Sequence, residues 1–444
     1  MGRLFGTDGV RGVANQDLTP ELAFALGQAG AFVLTDGKHR PQIVVGKDTR
    51  QSGDMLEAAL TAGILSVGGD VLSAGVVPTP AVAYLTGVLG ANAGVMISAS
   101  HNPAEDNGIK FFSSEGYKLP DATEDRIENL LTEHNLPRPT GAQVGRQCKL
   151  PDAAALYLEH LEEQLGTDLS TLKIVADTAH GAAYQVAPEI LERLGAKVTV
   201  INAAPTGTNI NVDCGSTHPE ALQLAIQEAK ADIGLAFDGD ADRLLAVDEK
   251  GQLVDGDQIM AILALWLKEK GLLKGSGLVA TTMSNMGLEV ALKQHGLGLV
   301  RAQVGDRYVL EELKHRGWNL GGEQSGHIIN LNHNTTGDGL STALQLLNVM
   351  AEKQQPLSQL AAVVKHFPQL LVNVPVKTKS GWEDNEAIKL AITKAEQALH
   401  DRGRILVRPS GTEPLIRVMV EGEEKDMLKN LADNIAGVIK EQLG

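Results

Sequence analysis

The sequence has few of the features that mark membrane and secreted proteins. No apolar run among its 444 residues reaches the roughly 18 residues needed to cross a bilayer. The first residues contain no long apolar region followed by a small-residue cleavage site, so we expect no signal peptide. Two cysteines, Cys148 and Cys214, are too few for a disulfide framework. We therefore expect a cytoplasmic protein without a membrane partner.

Positive charge is also scarce, with 39 basic against 55 acidic residues and a net charge of −16. Binding to nucleic acid requires a basic face, so we expect no nucleic-acid partner. An acidic protein that binds a phosphorylated ligand must concentrate its few cations locally, for example in Gly-rich or Ser-rich loops. The chain has no Gly-x-x-x-x-Gly-Lys-Ser/Thr motif and no Gly-x-Gly-x-x-Gly after a strand, so the usual signatures of nucleotide hydrolysis and dinucleotide binding are missing.

One strand–helix–strand pattern occurs three times along the chain. Its copies begin near residues 43, 174 and 278, each with a short apolar strand, an amphipathic helix and a Gly-marked turn into a second strand. Each copy predicts a β-α-β unit in a mostly parallel sheet. The wide spacing favours three similar domains over a solenoid, whose repeats are about 20–50 residues long. The C-terminal part instead predicts the order β-α-β-β-α, which is typical of a small α+β domain.

These patterns predict an α/β fold with three similar mixed α/β domains followed by a C-terminal α+β domain. The predicted boundaries are 1–150, 151–252, 253–366 and 367–444. In each α/β domain an apolar strand leads into a polar loop, and these loops are residues 98–102, 238–243 and 321–327. Loops at strand ends usually carry the chemistry of α/β sheets, so these three loops are the candidate sites.

The first loop offers a serine as a candidate nucleophile. Residues 97–103 read ISASHNP, and Ser100 lies in the middle of the polar stretch. A serine hydroxyl is a weak nucleophile until a base or a metal activates it. Ser and Asn also form local turn hydrogen bonds, and Asn-Pro favours turns, so an ordinary turn is an alternative interpretation. A second turn signal follows the loop and leads to Lys110.

The second loop is more specific because it concentrates negative charge. Residues 237–243 read FDGDADR and place Asp238, Asp240 and Asp242 at alternate positions, followed by Arg243. Three anions this close repel one another, and a bound cation would explain their presence. Hard oxygen ligands favour Mg²⁺. A solvated acidic turn is the alternative.

Two other interpretations compete at the acidic loop. Its spacing matches the start of an EF-hand, with Glu249 at the position of the bidentate glutamate. However, Arg243 stands where that loop requires glycine, and the flanking segments predict strands rather than helices. An Asp-x-Asp after a strand also resembles haloacid-dehalogenase-type phosphotransferases, which use an aspartate nucleophile, but that interpretation leaves Ser100 unexplained.

The remaining loops carry residues suited to sugars and phosphates. Residues 321–327, GGEQSGH, offer a carboxylate, a hydroxyl and an imidazole for sugar hydroxyls, although a hairpin turn would use the same residues. Residues 408–417, RPSGTEPLIR, combine two arginines, two hydroxyls and a glycine, which suits a phosphate cradle, whereas a plain turn has no need of the arginines. Residues 5–12 form another Gly-rich loop that carries Arg11.

Taken together, these loops resemble those of the α-D-phosphohexomutase superfamily, over essentially the whole chain and in the family's order. Residues 98–103 resemble its phosphoserine loop, 238–243 its metal loop, 322–327 its sugar-binding loop and 408–417 its phosphate-binding loop. The supporting stretches are FGTDG at 5–9, MSNMG at 283–287, VGDRY at 304–308 and TTGDG at 335–339. Within the superfamily the motifs look most like those of the bacterial branch that acts on glucosamine phosphates.

The resemblance implies four domains around a central active-site cleft and a phosphoryl-transfer reaction. The implied reaction interconverts glucosamine 6-phosphate and glucosamine 1-phosphate, on the route to UDP-N-acetylglucosamine and cell-wall precursors. Ser100 would carry the phosphate as phosphoserine, and glucosamine 1,6-bisphosphate would be the intermediate, or glucose 1,6-bisphosphate the activator. Asp238, Asp240 and Asp242, with phosphorylated Ser100, would hold Mg²⁺.

The resemblance also assigns roles to further residues. Lys110 and His327 would act as general acid and base, and Arg11 and Arg243 would supply charge near the serine. Glu323, Ser325 and His327 would bind the sugar. The distal phosphate would be held by Arg408, Ser410, Gly411, Thr412 and Arg417. The expected partner is a small sugar phosphate, and a homodimer is a possible assembly. Alternatives are a mutase of the same superfamily acting on mannose or glucose phosphates, or a non-catalytic sugar-phosphate-binding or Ca²⁺-binding protein.

Overall fold

A computed structural model of the protein describes residues 3–6, 8–35, 40–131, 136, 138–410 and 414–444. The chain divides into two compact units, one formed by Met1–Met283 with Gly296–Val363 and the other by Ser284–His295 with Val364–Gly444. The first unit contains three sheets and the second contains one. Within the described residues, no helix has the length and apolar character required to span a membrane.

The first sheet has six strands in the order β1-β5-β4-β2-β3-β6. β2 pairs in parallel with both β3 and β4, as the first β-α-β pattern predicts, and β5 returns antiparallel to β4. The apolar side chains on one face of β2 and β4 are buried in a core shared with the first two helices. The elements are β1 (Val10–Val13), α1 (Pro20–Leu34), β2 (Gln42–Lys47), α2 (Ser52–Ser66), β3 (Asp70–Val76), α3 (Thr79–Val88), β4 (Ala93–Ile97), β5 (Asp106–Ser113), α4 (Asp121–Leu131) and β6 (Gln147–Lys149).

The second sheet has five strands in the order β11-β10-β9-β7-β8. β7 pairs in parallel with β8 and β9, whereas β10 is antiparallel to β9, with Phe237 opposite Leu244. The acidic loop therefore occupies the connection between two neighbouring buried strands. The elements are α5 (Ala153–Leu165), β7 (Lys173–Asp177), α6 (Ala183–Arg193), β8 (Lys197–Ile201), α7 (Glu220–Ala229), β9 (Ile233–Phe237), β10 (Leu244–Asp248) and β11 (Leu253–Val254).

The third sheet has four strands in the order β13-β12-β14-β15. One predicted detail is wrong here, because Gly321 and Gly322 belong to a strand and the polar loop begins only at Glu323. A Cβ at Gly321 would lie 2.5 Å from the Val279 carbonyl oxygen, so glycine permits the close approach of β14 to β12. The elements of this part of the chain are α8 (Gly256–Glu269), β12 (Gly277–Thr281), α9 (Met286–Gln294), β13 (Gly298–Ala302), α10 (Asp306–Arg316), β14 (Leu320–Gly322), β15 (Ile328–Asn330), α11 (Gly339–Lys353) and α12 (Leu357–Ala361), of which α9 belongs to the second unit.

The second unit is built on a three-stranded antiparallel sheet in the order β16-β18-β17. Buried apolar residues of this sheet and of the two long C-terminal helices form a separate core. Its elements are β16 (Gln369–Pro375), α13 (Glu386–Leu399), β17 (Gly403–Pro409), β18 (Leu415–Gly422) and α14 (Lys425–Leu443). The predicted β-α-β-β-α order and the predicted fold class are confirmed; the domain boundaries and the central cleft stay predictions.

Candidate active site

Ser100 lies immediately after β4 in an unusual backbone conformation. Its φ is 53°, in the left-handed region that non-glycine residues adopt only where their surroundings hold them. The side chain is buried, and its Oγ donates a hydrogen bond to Asp238 Oδ2 at 2.5 Å. The Ser100 amide in turn donates to the Ser98 hydroxyl at 2.9 Å. The ends of β4 and β9 thus bring the predicted nucleophile and the acidic loop together.

The three aspartates of the acidic loop converge on one point. Each offers a carboxylate oxygen, and these oxygens lie within 4.8 Å of one another. All three side chains are buried. Ala241, between the second and third of them, also has a positive φ of 56°. Among the described residues this is the one cluster with metal-ligand geometry.

The electrostatics of this cluster fit a divalent cation. Burial, together with Asp242 and Asp240, raises the pKa of Asp238 well above its ordinary value. Among the described residues, Asp240 Oδ1 is buried without a hydrogen-bond partner. Buried carboxylate oxygens that repel one another and lack donors are costly, and a cation relieves both conditions. The all-oxygen donor set suits Mg²⁺.

The EF-hand interpretation of this loop is wrong. The loop is flanked by the strands β9 and β10 rather than by two helices. Glu249 accepts hydrogen bonds from the hydroxyl and the amide of Ser358 and is not a member of the aspartate cluster. The bidentate ligand that an EF-hand requires is therefore engaged elsewhere.

Lys110 brings a buried positive charge next to the aspartates. It lies on β5, and its Nζ is 2.7 Å from Asp240 Oδ2 and 2.8 Å from Asp8 Oδ2. Burial lowers the pKa of Lys110, but Asp240 and Asp8 outweigh burial and raise it above its ordinary value. Lys110 is therefore an ammonium ion at neutral pH, and it donates a hydrogen bond to Asp240.

Two arginines also surround the serine. Arg11 is paired with Asp8, and within the described part of the chain the Nε atoms of both Arg11 and Arg243 are buried without a hydrogen-bond partner. The pKa of His101 falls to about 4 because its side chain is buried and because the positive charges of Arg243 and Arg11 lie nearby. These two arginines therefore bring positive charge near Ser100, which favours the binding of a phosphoryl group.

His327 lies between two carboxylates. Its Nδ1 is 3.4 Å from Asp242 Oδ1 and its Nε2 is 3.3 Å from Asp306 Oδ2. Burial lowers the pKa of His327, but Asp242 and Asp306 outweigh burial and raise it to about 9. The same Nε2 accepts a hydrogen bond from the Gly337 amide at 3.2 Å. The third loop therefore reaches the acidic cluster through this residue.

The other predicted sugar-binding residues lie on the same loop. Glu323 Oε1 accepts a hydrogen bond from the Gly305 amide at 3.1 Å, and the Ser325 hydroxyl donates to Glu323 Oε2 at 3.3 Å. Burial lowers the pKa of Arg243, but Asp238, Asp242 and, to a smaller extent, Glu323 raise it above its ordinary value. The Glu323 carboxylate therefore lies close enough to interact with that guanidinium. These polar groups are suited to hydrogen bonding with hydroxyls.

The predicted phosphate loop connects β17 and β18 in the second unit. Arg408 and Arg417 are directly opposite each other in the strand pair, and Arg417 Nη2 is 3.5 Å from Ser410 Oγ. Burial and the charge of Arg417 lower the pKa of Arg408. Two adjacent like charges are favourable when an anion lies between them. Gly411 and Thr412 lie outside the described residues.

Three charged residues at the site were not assigned a role from the sequence. Lys118 contacts both Asp8 and Asp306, and both carboxylates also contact cations of the predicted set. Residues 5–9 and 304–308, which contain Asp8 and Asp306, resemble supporting motifs of the family, and this resemblance was the available signal. It assigned no chemical role to either residue. Lys118 lies in neither motif, and it is 188 positions away from Asp306 in the sequence.

Comparison with known proteins finds similarity along the whole chain. Models of the phosphoglucomutase/phosphomannomutase alpha/beta/alpha domains I, II and III match residues 2–138, 155–251 and 255–367, and the C-terminal domain model matches 371–438. A curated phosphoglucosamine mutase from Thermoanaerobacter pseudethanolicus is 57% identical over 446 residues, which cover 100% of both chains.

Solved structures share the fold. A phosphoglucomutase/phosphomannomutase family protein from Burkholderia thailandensis has a TM-score of 0.83 at 24% identity, covering 99% of this chain and 97% of its own. N-acetylphosphoglucosamine mutase from Aspergillus fumigatus, solved with GlcNAc-6P and magnesium, has a TM-score of 0.68 at 20% identity, covering 99% and 96%. At these identities the likeness concerns the fold.

Proposed function

Because the chain belongs to the phosphoglucomutase/phosphomannomutase family, we propose that it interconverts glucosamine 6-phosphate and glucosamine 1-phosphate. The 57% identity to a phosphoglucosamine mutase over the full length supports glucosamine as the sugar. The observation that carries the reaction type is Ser100 Oγ, held 2.5 Å from Asp238 within a buried aspartate cluster. The product would supply UDP-N-acetylglucosamine synthesis.

Ser100 is proposed to carry a phosphoryl group in the resting enzyme. Asp238, Asp240 and Asp242, with a phosphate oxygen on Ser100, would hold Mg²⁺, the ion present in the A. fumigatus mutase structure. When bound, Mg²⁺ polarises the phosphoryl group as a Lewis acid. Phosphoryl transfer depends mainly on alignment and on neutralising the equatorial oxygens, and Lys110, Arg11 and Arg243 supply positive charge for this purpose.

The first transfer breaks the bond between phosphorus and Ser100 Oγ and forms a bond to the free hydroxyl of the sugar. The sugar hydroxyl loses a proton to a base, and Ser100 Oγ gains one from an acid. We propose Lys110 and His327 for these two roles; the neighbouring carboxylates raise the pKa of both side chains despite their burial. Both therefore favour the protonated form, and neither is assigned as the acid or the base.

The proposed intermediate is glucosamine 1,6-bisphosphate, with glucose 1,6-bisphosphate as a related activator. It must turn so that its second phosphate faces Ser100, which then takes back a phosphoryl group in the reverse of the first step. Glu323 and Ser325 are proposed to bind the sugar hydroxyls. Arg408, Ser410 and Arg417, with Gly411 and Thr412, are proposed to hold the distal phosphate. The four predicted domains would each contribute one of these loops.

Turnover of glucosamine, glucose and mannose 1-phosphates by the wild type, Ser100→Ala and Ser170→Ala tests the proposal. We expect the highest kcat/KM with glucosamine 1-phosphate, no turnover in Ser100→Ala, and wild-type turnover in Ser170→Ala, where an exposed serine is changed. A higher kcat/KM with glucose or mannose 1-phosphate would assign the chain to another activity of the family. Absence of turnover with all three sugars would favour a non-catalytic sugar-phosphate-binding protein.

A further inference from the structure

Two side chains outside the proposed catalytic set donate hydrogen bonds to the backbone of the phosphoserine loop, residues 98–103. Arg50 Nη2 donates hydrogen bonds to the carbonyl oxygens of Ser100, at 3.1 Å, and Asn102, at 2.6 Å. Asn211 Nδ2 donates to the same two carbonyl oxygens, at 2.9 and 3.0 Å. Two donors from distant parts of the sequence therefore converge on one pair of acceptors, on either side of His101.

The arginine of this pair is fully enclosed. Arg50 is 2% exposed, and its charge is balanced by contact with the buried carboxylate of Asp48. Asp48 also accepts a hydrogen bond from the Ser98 hydroxyl at 2.6 Å, and that hydroxyl accepts one from the Ser100 amide. Burying a charged pair is unfavourable unless its hydrogen bonds are satisfied. Here the pair is connected to both the amide and the carbonyl of Ser100.

The asparagine of the pair comes from the loop after β8, in the second sheet. Asn211 has a φ of 60°, a conformation that asparagine tolerates. Its backbone amide donates a hydrogen bond to the Ala179 carbonyl oxygen at 2.9 Å. The acidic loop covers the same point, since a Cβ at Gly239 would lie 2.5 Å from the Ser100 carbonyl oxygen and 2.9 Å from Asn211 Nδ2. The hydrogen bonds to the Ser100 carbonyl oxygen therefore lie directly beside the proposed metal loop.

We propose that Arg50 and Asn211 form a clamp that holds Ser100 in its left-handed conformation, with Oγ directed at the aspartate cluster. This inference rests on the proposed mutase function and assigns both as positioning residues. The same Oγ must be in place when it gives up a phosphoryl group and when it takes one back. The carbonyl hydrogen bonds do not involve the side chain of Ser100, so they can persist in both states. Loss of the clamp should therefore slow phosphoryl transfer itself rather than weaken binding of the sugar.

The test measures transfer directly from the labelled enzyme. The wild type, Arg50→Lys and Asn211→Asp are labelled with ³²P from glucose 1,6-bisphosphate, then mixed in a quench-flow device with excess glucosamine 1-phosphate. Rates are expressed per labelled molecule, so that misfolded enzyme does not contribute. Asn211→Asp keeps the shape of the side chain but replaces the donating amide group with a carboxylate oxygen, which cannot donate a hydrogen bond to the two carbonyl oxygens. Arg50→Lys keeps the charge but loses the planar set of donors.

We expect the transfer rate to fall about 10- to 100-fold in each variant, the range for losing one or two hydrogen bonds with a charged or buried partner. Labelling from the bisphosphate should slow similarly, because it is the same transfer in reverse. The KM for glucosamine 1-phosphate and the Mg²⁺ activation constant should change little, as expected for a group that acts on the transition state. Purely structural damage would lower the labelled fraction without changing the rate per labelled molecule.

Asn209→Asp is the matched control. Asn209 lies in the same segment, and its Nδ2 donates to the Ala204 carbonyl at 3.1 Å, so the variant loses a comparable amide donor. It should transfer phosphate at the wild-type rate. Wild-type rates per labelled molecule in Asn211→Asp would overturn the clamp, even if Arg50→Lys fails to fold. A wild type that takes no label at Ser100 would instead overturn the proposed function, and the clamp with it.

Discussion

Replacing Asp238 by asparagine should change stability in opposite directions with and without Mg²⁺. In EDTA the substitution removes one of three carboxylates whose oxygens lie within 4.8 Å of one another. Two unit charges about 4.8 Å apart repel by roughly 3–4 kcal/mol at an effective dielectric constant of ~20. Lys110 and Arg243 cancel part of this repulsion, and the raised pKa of Asp238 relieves more of it through protonation, so we expect the variant to be more stable by about 1 kcal/mol.

With Mg²⁺ the order should reverse. A ligand that binds only the folded state at about 100 times its Kd stabilises the protein by about 2.7 kcal/mol. The wild type should show this gain, whereas the variant keeps two anionic ligands and should gain much less at the same concentration. The wild type should then be the more stable protein, and Asp238→Asn should also lose mutase activity.

The assay is thermal unfolding in EDTA and over a series of Mg²⁺ concentrations. Asp248→Asn provides the control, because it removes a buried carboxylate that accepts hydrogen bonds from the Lys250 and Gln252 amides, away from the cluster. Its response to Mg²⁺ should match that of the wild type. The reasoning would be refuted by a wild-type midpoint that does not depend on Mg²⁺, or by an equal rise in Asp238→Asn.

Three further outcomes follow from the structure. Gly239→Ala should fold but lose most activity, because its Cβ would lie 2.5 Å from the Ser100 carbonyl oxygen; wild-type kcat would contradict this. Arg417→Ala should reduce kcat/KM by roughly ten- to hundred-fold and increase released bisphosphate, as loss of a charged hydrogen bond to phosphate predicts; unchanged kinetics would remove the cradle from the account. In thiol titration, exposed Cys148 should react quickly and Cys214 slowly, because burial, together with Asp177 and Asp213, raises the pKa of Cys214 to about 12; equal rates would contradict this.

The predictable part of the fold and site depends on local sequence. Apolar strands followed by amphipathic helices predicted the three β-α-β units, and the structure has them at β2–β3, β7–β8 and β12–β13. Because polar loops at strand ends usually carry the chemistry of α/β sheets, Ser100 and Asp238 could each be proposed as a site residue from its own loop. The hydrogen bond between the two side chains joins loops of two different sheets. Neither loop alone predicts that contact.

The unpredicted part depends on contacts between distant segments. Lys118 lies in no motif, and the motif that contains Asp306 assigned it no role; the importance of both appears only where folding places them against Asp8 and His327. Arg50 likewise follows a strand in an ordinary polar stretch, and only its burial against the Ser100 carbonyl distinguishes it from a solvated arginine.

The central claim is that phosphate passes through Ser100, and mapping the labelled residue tests it most directly. The enzyme is incubated with ³²P-labelled glucose 1,6-bisphosphate and Mg²⁺, digested, and the labelled peptide is identified. We predict one acid-stable phosphate on Ser100, which glucosamine 1-phosphate removes completely. A hydroxylamine-sensitive phosphate on Asp238 would instead indicate an aspartate nucleophile. That label, or a Ser100 phosphate that the sugar phosphate does not remove, would contradict the account.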